Sequence, residues 1–167
     1  MKPCRPIIQR SFLFCRSRTC QILVLGSLPS VKSREQGFYY GHPRNRFWKV
    51  VAAVLGVPEP LTIEEKKRML LAGHVAVYDV IRACEIIGSS DSSIRNVVPA
   101  DIESIVTHAP IQAVFTNGKT AGRLYKKYQA EHIDLPMIEL PSTSPANAAF
   151  SLERLEEIWK QELGRYL

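Results

Sequence analysis

Two short segments carry most of the chemistry available to this 167-residue chain. The first is Gly26-Ser-Leu-Pro-Ser30, followed by Gly37-Phe-Tyr-Tyr-Gly-His-Pro-Arg-Asn-Arg-Phe-Trp48, and the second is Leu140-Pro-Ser-Thr-Ser-Pro-Ala-Asn147. Gly26 allows the chain to turn tightly, with backbone N–H groups of Ser27, Leu28, Pro29 and Ser30's neighbourhood available to a ligand. No Gly-Lys-Ser/Thr follows, so this is not a phosphate-binding P-loop. Tyr39 and Tyr40 offer flat faces on which a planar ring can stack, or else fill part of the core. Asn45 and His42 can each hold a water molecule through a polar side chain. Asn45 is also among the best residues for capping a helix, and a lone loop histidine also serves structure alone. Phe47 and Trp48 fall on a helix and are expected to pack inward.

The elements that must position these residues alternate in type. Gln21–Leu25 is a continuous apolar run ending at Gly26, as expected of a buried parallel strand. A long loop over 26–44 follows, then a helix from Asn45 to Leu55 stopped by Gly56. Thr62-Ile-Glu-Glu65 is a capping box opening a helix to Leu71. Residues 75–81 are apolar and partly strand, 82–100 are loop-rich, and 101–108 form a short helix. A strand over 111–116 breaks at Asn117-Gly118 into a helix over 120–129. A last strand, 136–140, leads into the turn 141–147, and Ser151 caps a final helix toward Leu167. Such alternation predicts an α/β fold, three layers (α/β/α) around a short, mainly parallel sheet. Ligands bind beyond the carboxyl ends of parallel strands. The 26–44 loop, Asn117-Gly118 and the 141–147 turn are therefore expected to meet at one site, where Asn117 faces the ligand or simply makes an Asn-Gly turn. Residues 1–20 read as an irregular basic lead-in, and 21–167 as a single domain.

Bulk properties narrow the class. With 46% hydrophobic and 23% charged residues, the chain describes an ordinary globular domain. No apolar stretch approaches the ~20 residues of a membrane-spanning helix, so no membrane partner and a cytoplasmic location are expected. Net charge is +6 and the isoelectric point about 9.3, which suits a polyanionic partner. The clusters Lys66-Lys67-Arg68 and Lys126-Lys127 read as solvated helix faces. Cys4, Cys15, Cys20 and Cys84 contain no C-x-x-C pair, so reduced thiols rather than a metal site are expected.

The G-x-x-P-[GS] turn after a first strand, the aromatic-G-H-P-x-N-R-F-W-K run and the Leu140–Asn147 segment together resemble the uracil-DNA glycosylase superfamily. They are most similar to its mismatch-specific and hypoxanthine (deoxyinosine) branches. The resemblance implies hydrolysis of the N-glycosidic bond of a deaminated base flipped out of DNA, with no metal or organic cofactor. It further implies that Gly26, Ser27, Leu28, Pro29, Ser30 and Tyr40 contact the base, with Asn117 beside them. Ser142, Thr143, Ser144, Pro145 and Asn147 would lie against the DNA. Leu28 stands where mismatch-specific enzymes carry a water-positioning Asn, and Gly26–Ser30 lacks the carboxylate of the uracil-specific branch. Asn45 matches the position that takes over the water in the deoxyinosine branch, with His42 as second candidate. A uracil or G:T/U mismatch-specific glycosylase remains an alternative. So does a damage-binding module that has kept the fold and lost catalysis, for which Leu28 is the supporting feature. An unrelated nucleotide-binding protein is disfavoured by the lack of a phosphate loop.

Overall fold

The computed structural model describes residues 5–8, 17–87 and 91–167. Cys4, Cys15 and most of the expected lead-in lie outside the described residues. In chain order the elements are β1 (Arg5–Ile8), β2 (Ile22–Gly26), α1 (Val31–Gln36), α2 (Phe47–Leu55), α3 (Ile63–Ala72), β3 (Val75–Asp79), β4 (Ile81–Ile86), β5 (Arg95–Pro99), α4 (Ile102–His108), β6 (Ala113–Asn117), α5 (Lys119–Tyr128), β7 (Met137–Leu140) and α6 (Leu152–Leu163).

The central sheet has four strands in the order β3-β2-β6-β7, all parallel. Every residue of β2 is buried, which explains its unbroken apolar sequence: a central strand covered on both faces has no solvent side to alternate toward. Register places Gly26 opposite Asp79, Leu25 opposite Thr116, and Asn117 opposite Leu140. Four strand ends therefore open onto one edge of the sheet. The helices are closed by local chemistry. Thr62 and Glu65 form the full capping box of α3, and the Ser151 side chain accepts from Arg154 N at the start of α6. α2 and α6 pack together through Phe47 and Trp159, whose rings meet edge to face at 5.9 Å.

Three expectations are corrected. The 26–44 loop contains a six-residue helix, α1, capped by the Ser30 side chain and stopped by Gly37. Only one large apolar residue, Val31, falls in α1, so no periodic pattern announced it. The 82–100 stretch is not loop-rich but holds β4 and β5, which pair antiparallel with two register shifts. Most of β5 is exposed and polar, and the shifts break the alternation that marks a strand. Within the expected irregular lead-in, β1 pairs antiparallel with β4 and completes a second, three-stranded sheet. That pairing joins segments about 80 positions apart, which local pattern cannot reveal.

Candidate active site at the carboxyl edge of the sheet

A cleft of about 980 Å³ lies at that edge and is lined by all the residues singled out above. Gly26, Ser27, Leu28, Pro29, Ser30, Tyr40, His42, Asn45, Asn117, Ser142, Thr143, Ser144, Pro145 and Asn147 share its wall. The 26–45 and 141–147 stretches are in direct contact, because Arg46 N donates to Thr143 O at 3.1 Å.

The aromatic run is organised by α2. Phe47 is fully buried and stacks behind Tyr40, ring centroids 3.9 Å apart, so the Tyr40 ring is backed on one face. Trp48 stacks on Phe38 and donates its indole N–H to Tyr39 O at 3.3 Å. Tyr39 is 2% exposed and belongs to the core. Of the two tyrosines, Tyr40 is therefore the one poised to receive a planar ring. Its backbone sits in the left-handed region at φ 50, a conformation that costs a non-glycine residue of order 1–3 kcal/mol and is held by the packing around it.

Asn45 does not occupy the cap position itself. Arg46 does, and Asn45 stands one residue earlier, accepting from Phe47 N at 3.0 Å through Oδ1. The same oxygen accepts from the Thr143 hydroxyl at 2.9 Å. Two backbone N–H groups fix the direction of the whole network. Phe47 N–H requires an acceptor at Asn45, and Thr143 N–H, donating at 3.0 Å, requires the carbonyl oxygen of Asn117. Asn117 Nδ2 must then donate to Thr143 Oγ, 2.9 Å away, and the hydroxyl proton must point to Asn45. Both lone pairs of Asn45 Oδ1 are thus used, and the amide nitrogen is the polar atom it offers the cleft. Asn117 is neither a bare turn nor a free ligand contact; it is a strut between two strand ends. Gly118 follows at φ 97, where a Cβ would meet that of Ser142 at 2.9 Å, so only glycine lets these two loops close together.

The second loop is built largely from its own polar groups. Ser142 Oγ accepts from Ser144 N, Ser144 Oγ accepts from Ala146 N, and Asn147 Nδ2 donates to Ser142 O. Thr143 is completely buried, which corrects the expectation that it touches DNA: its hydroxyl is the hub of the network just described. Pro145 and Ala146 form the exposed tip of the loop. His42 Nδ1 accepts from Arg44 N at 3.1 Å, leaving Nε2 to face outward as a donor when the ring is neutral.

Two residues that the sequence reading passed over are prominent. Arg46 spans the junction with its guanidinium: Nη2 donates to Ser144 O at 2.9 Å and Asn147 O at 3.0 Å, Nε to Thr143 O at 3.4 Å, and Nη1 to Phe150 O. Charge-assisted bonds to four carbonyls hold the 143–150 segment against the start of α2. Asp79 is a carboxylate, 4% exposed, at the end of β3 and in the cleft wall. It was hidden because attention rested on three strand ends, whereas the acidic residue closing Val75-Ala-Val-Tyr-Asp79 marks a fourth. The Tyr40 hydroxyl lies buried close by, without a hydrogen bond of regular geometry. Its pKa is pushed well above the usual tyrosine value, chiefly by burial and then by the Asp79 charge, with the nearby Asn117 amide pulling the other way. Arg34 and Lys119 stand exposed at the rim.

Cys20 and Cys84 are buried free thiols, and burial pushes the Cys20 thiol up. Among the described residues, no group of His, Cys, Asp and Glu is arranged to hold a metal ion, and no helix is long and apolar enough to cross a membrane.

Comparison with known proteins agrees with this architecture. The chain is 31% identical over 153 residues to a hypoxanthine DNA glycosylase of Methanosarcina acetivorans, covering 90% of this chain and 96% of the relative. It is 28% identical over 147 residues to a hypoxanthine DNA glycosylase of Methanosarcina barkeri, covering 87% and 91%. The fold superposes with a TM-score of 0.73 on the solution NMR structure of a candidate uracil DNA glycosylase from Methanosarcina acetivorans, at 30% identity over 87% of this chain and 92% of the other. The family model for the uracil DNA glycosylase superfamily matches residues 13–162. With nine-tenths of its length accounted for in this way, the chain belongs to the uracil DNA glycosylase superfamily.

Proposed function

We propose that the chain is a monofunctional base-excision glycosylase that extrudes a deaminated base, hypoxanthine by preference, and hydrolyses its N-glycosidic bond to leave an abasic site. The observation that carries this reading is the fixed Asn45 amide beside Tyr40 in one cleft at the strand ends. The names of the relatives, both hypoxanthine DNA glycosylases, support the choice of base.

Base removal passes through an oxocarbenium-like state, with positive charge growing on the sugar and negative charge on the departing base. No strong base is needed if the water is positioned and the charges are met. In this reading Tyr40, backed by Phe47, stacks on the base, and the Ser27–Ser30 turn meets its edge. Asn45 Nδ2 donates to the water oxygen and holds it at the anomeric carbon, leaving one lone pair to attack. The Pro145–Ala146 tip fills the gap in the duplex, and Arg34 and Lys119 meet phosphates. Extrusion costs a few kcal/mol and least at mispaired bases, which adds selectivity before any pocket contact.

The test is a panel of duplexes carrying hypoxanthine, uracil, xanthine or a G:T mismatch, incubated with excess protein and then treated with alkali. Strand breakage fastest at hypoxanthine is expected. Fastest breakage at uracil or G:T would assign the chain to the other branch. Binding to all of them without breakage would make it a damage-binding module, the reading that Leu28 in the cleft wall favours.

A further inference from the structure

The cleft contains a charged group that the mechanism above does not use. Asp79 ends β3 directly opposite Gly26, the first residue of the base-facing turn. A Cβ built on Gly26 would lie 2.5 Å from Asp79 Oδ1 and 3.0 Å from the Tyr40 hydroxyl. The carboxylate and the far end of the stacking ring therefore converge over a glycine whose missing side chain makes room for both. The geometry sets Asp79 at the edge, not the face, of anything stacked on Tyr40.

An ionised carboxylate accepts hydrogen bonds and donates none. Deamination changes a base at just this level. Adenine presents a ring-nitrogen lone pair at N1, and its deamination product hypoxanthine presents an N–H; uracil and xanthine likewise carry a ring N–H where the parent base has a lone pair. A carboxylate facing that position attracts the N–H and repels the lone pair. We infer that Asp79 is the specificity-determining residue of the cleft, accepting the ring N–H of an extruded lactam base and rejecting undamaged adenine by lone-pair repulsion. The inference rests on the reading of the cleft as a pocket for an extruded deaminated base, and it names the group that makes the distinction. Sites built to bond a particular N–H discriminate strongly against ligands that lack it, because the buried partner is then left unsatisfied. Recognition of this kind belongs to the damaged base itself and not to its opposite partner, so it operates on the base once everted.

The test pairs a chemical change in the base with a change in the residue. Single-turnover excision is measured for hypoxanthine and for its 1-deaza analogue, in which C–H replaces N1–H at equal size, with wild-type protein and Asp79→Ala. Dividing one ratio by the other cancels the differing lability of the two glycosidic bonds. Loss of N1–H is expected to slow the wild type at least tenfold more than Asp79→Ala. Equal ratios in the two proteins would overturn the inference while leaving the glycosylase reading intact. Wild-type protein that releases no hypoxanthine would overturn both.

A second variant keeps the volume of the site. Asp79→Asn can turn its amide to donate to a lone pair, so it should narrow the preference for hypoxanthine over adenine. Affinity for duplexes carrying either base on a 2′-fluoro-arabino sugar, which resists cleavage, is the readout. The hypoxanthine-to-adenine affinity ratio is expected to fall at least tenfold, and an unchanged ratio would count against Asp79.

Discussion

The Thr143 hydroxyl donates to Asn45 Oδ1 across 2.9 Å, joining residues 98 positions apart in the chain. This bond, with the one from Phe47 N, saturates the carbonyl oxygen of Asn45 and turns its amide nitrogen toward the cleft. A side chain that caps helices well is thereby committed to the fold through one end and left for chemistry through the other.

Thr143→Val keeps the shape of the buried hub and removes its hydroxyl. Asn117 Nδ2 then loses its acceptor and Asn45 one of its two donors, a cost of about 1–3 kcal/mol in stability. Denaturant unfolding measures that cost. Single-turnover excision should fall along with it, whereas Thr143→Ser, which retains the hydroxyl, should stay within a few-fold of wild type. A fully active Thr143→Val would mean that the network does not orient Asn45.

Arg46→Lys conserves charge and loses the fork. A single ammonium cannot reach the carbonyls of Thr143, Ser144, Asn147 and Phe150 together. The 143–150 segment should exchange its amide hydrogens faster, and affinity for duplex DNA should weaken. Unchanged exchange in that segment would show that the loop holds itself through Ser142, Ser144 and Asn147.

Tyr40→Phe removes a buried hydroxyl that lacks a hydrogen bond of regular geometry, so stability near neutral pH should hold or rise. The pH dependence has a definite sign. Burial and the Asp79 charge raise the Tyr40 pKa in the folded protein, so above about pH 10, the unperturbed value, the unfolded chain releases this proton and the folded chain keeps it. Stability contributed below that pH is lost as the pH rises. Tyr125 shares this behaviour through its own burial, so the contribution of Tyr40 is the difference between wild type and Tyr40→Phe in alkaline unfolding curves. Identical curves would contradict the burial of the Tyr40 hydroxyl.

The parallel strands and their flanking helices were legible because each carries its own signal. β2 and β6 are apolar runs, Thr62-Ile-Glu-Glu65 is a complete capping box, and Ser151 and Asp101 cap helices through their own side chains. What escaped depends on partners distant in sequence. β1 and β5 become strands by pairing with β4, and neither has an alternating pattern to show it. The site divides the same way. Residue types in the two motif segments were sufficient to bring Tyr40, Asn45 and the 142–147 loop to attention. Thr143 was assigned outward because a threonine in a polar turn looks solvated, and only the arrival of Asn45 and Asn117 from two other loops turns it inward. Asp79 was missed because a single acidic residue ending a strand has no local partner to mark it. Arg46, lying between an asparagine and an aromatic pair, gives no sign in sequence that its four acceptors lie about a hundred positions downstream.

The central claim, that Asn45 acts through its amide N–H and not through an accepting oxygen, is tested most directly by Asn45→Asp. A carboxylate at this position still accepts from Phe47 N and Thr143 Oγ, so the local fold is preserved while the donor is lost. Single-turnover excision of hypoxanthine from duplex DNA is predicted to fall at least about tenfold, or 1.4 kcal/mol, for Asn45→Asp as for Asn45→Ala. An Asn45→Asp protein that matches or exceeds the wild-type rate would contradict the account, because it would show that position 45 works by accepting a proton from water.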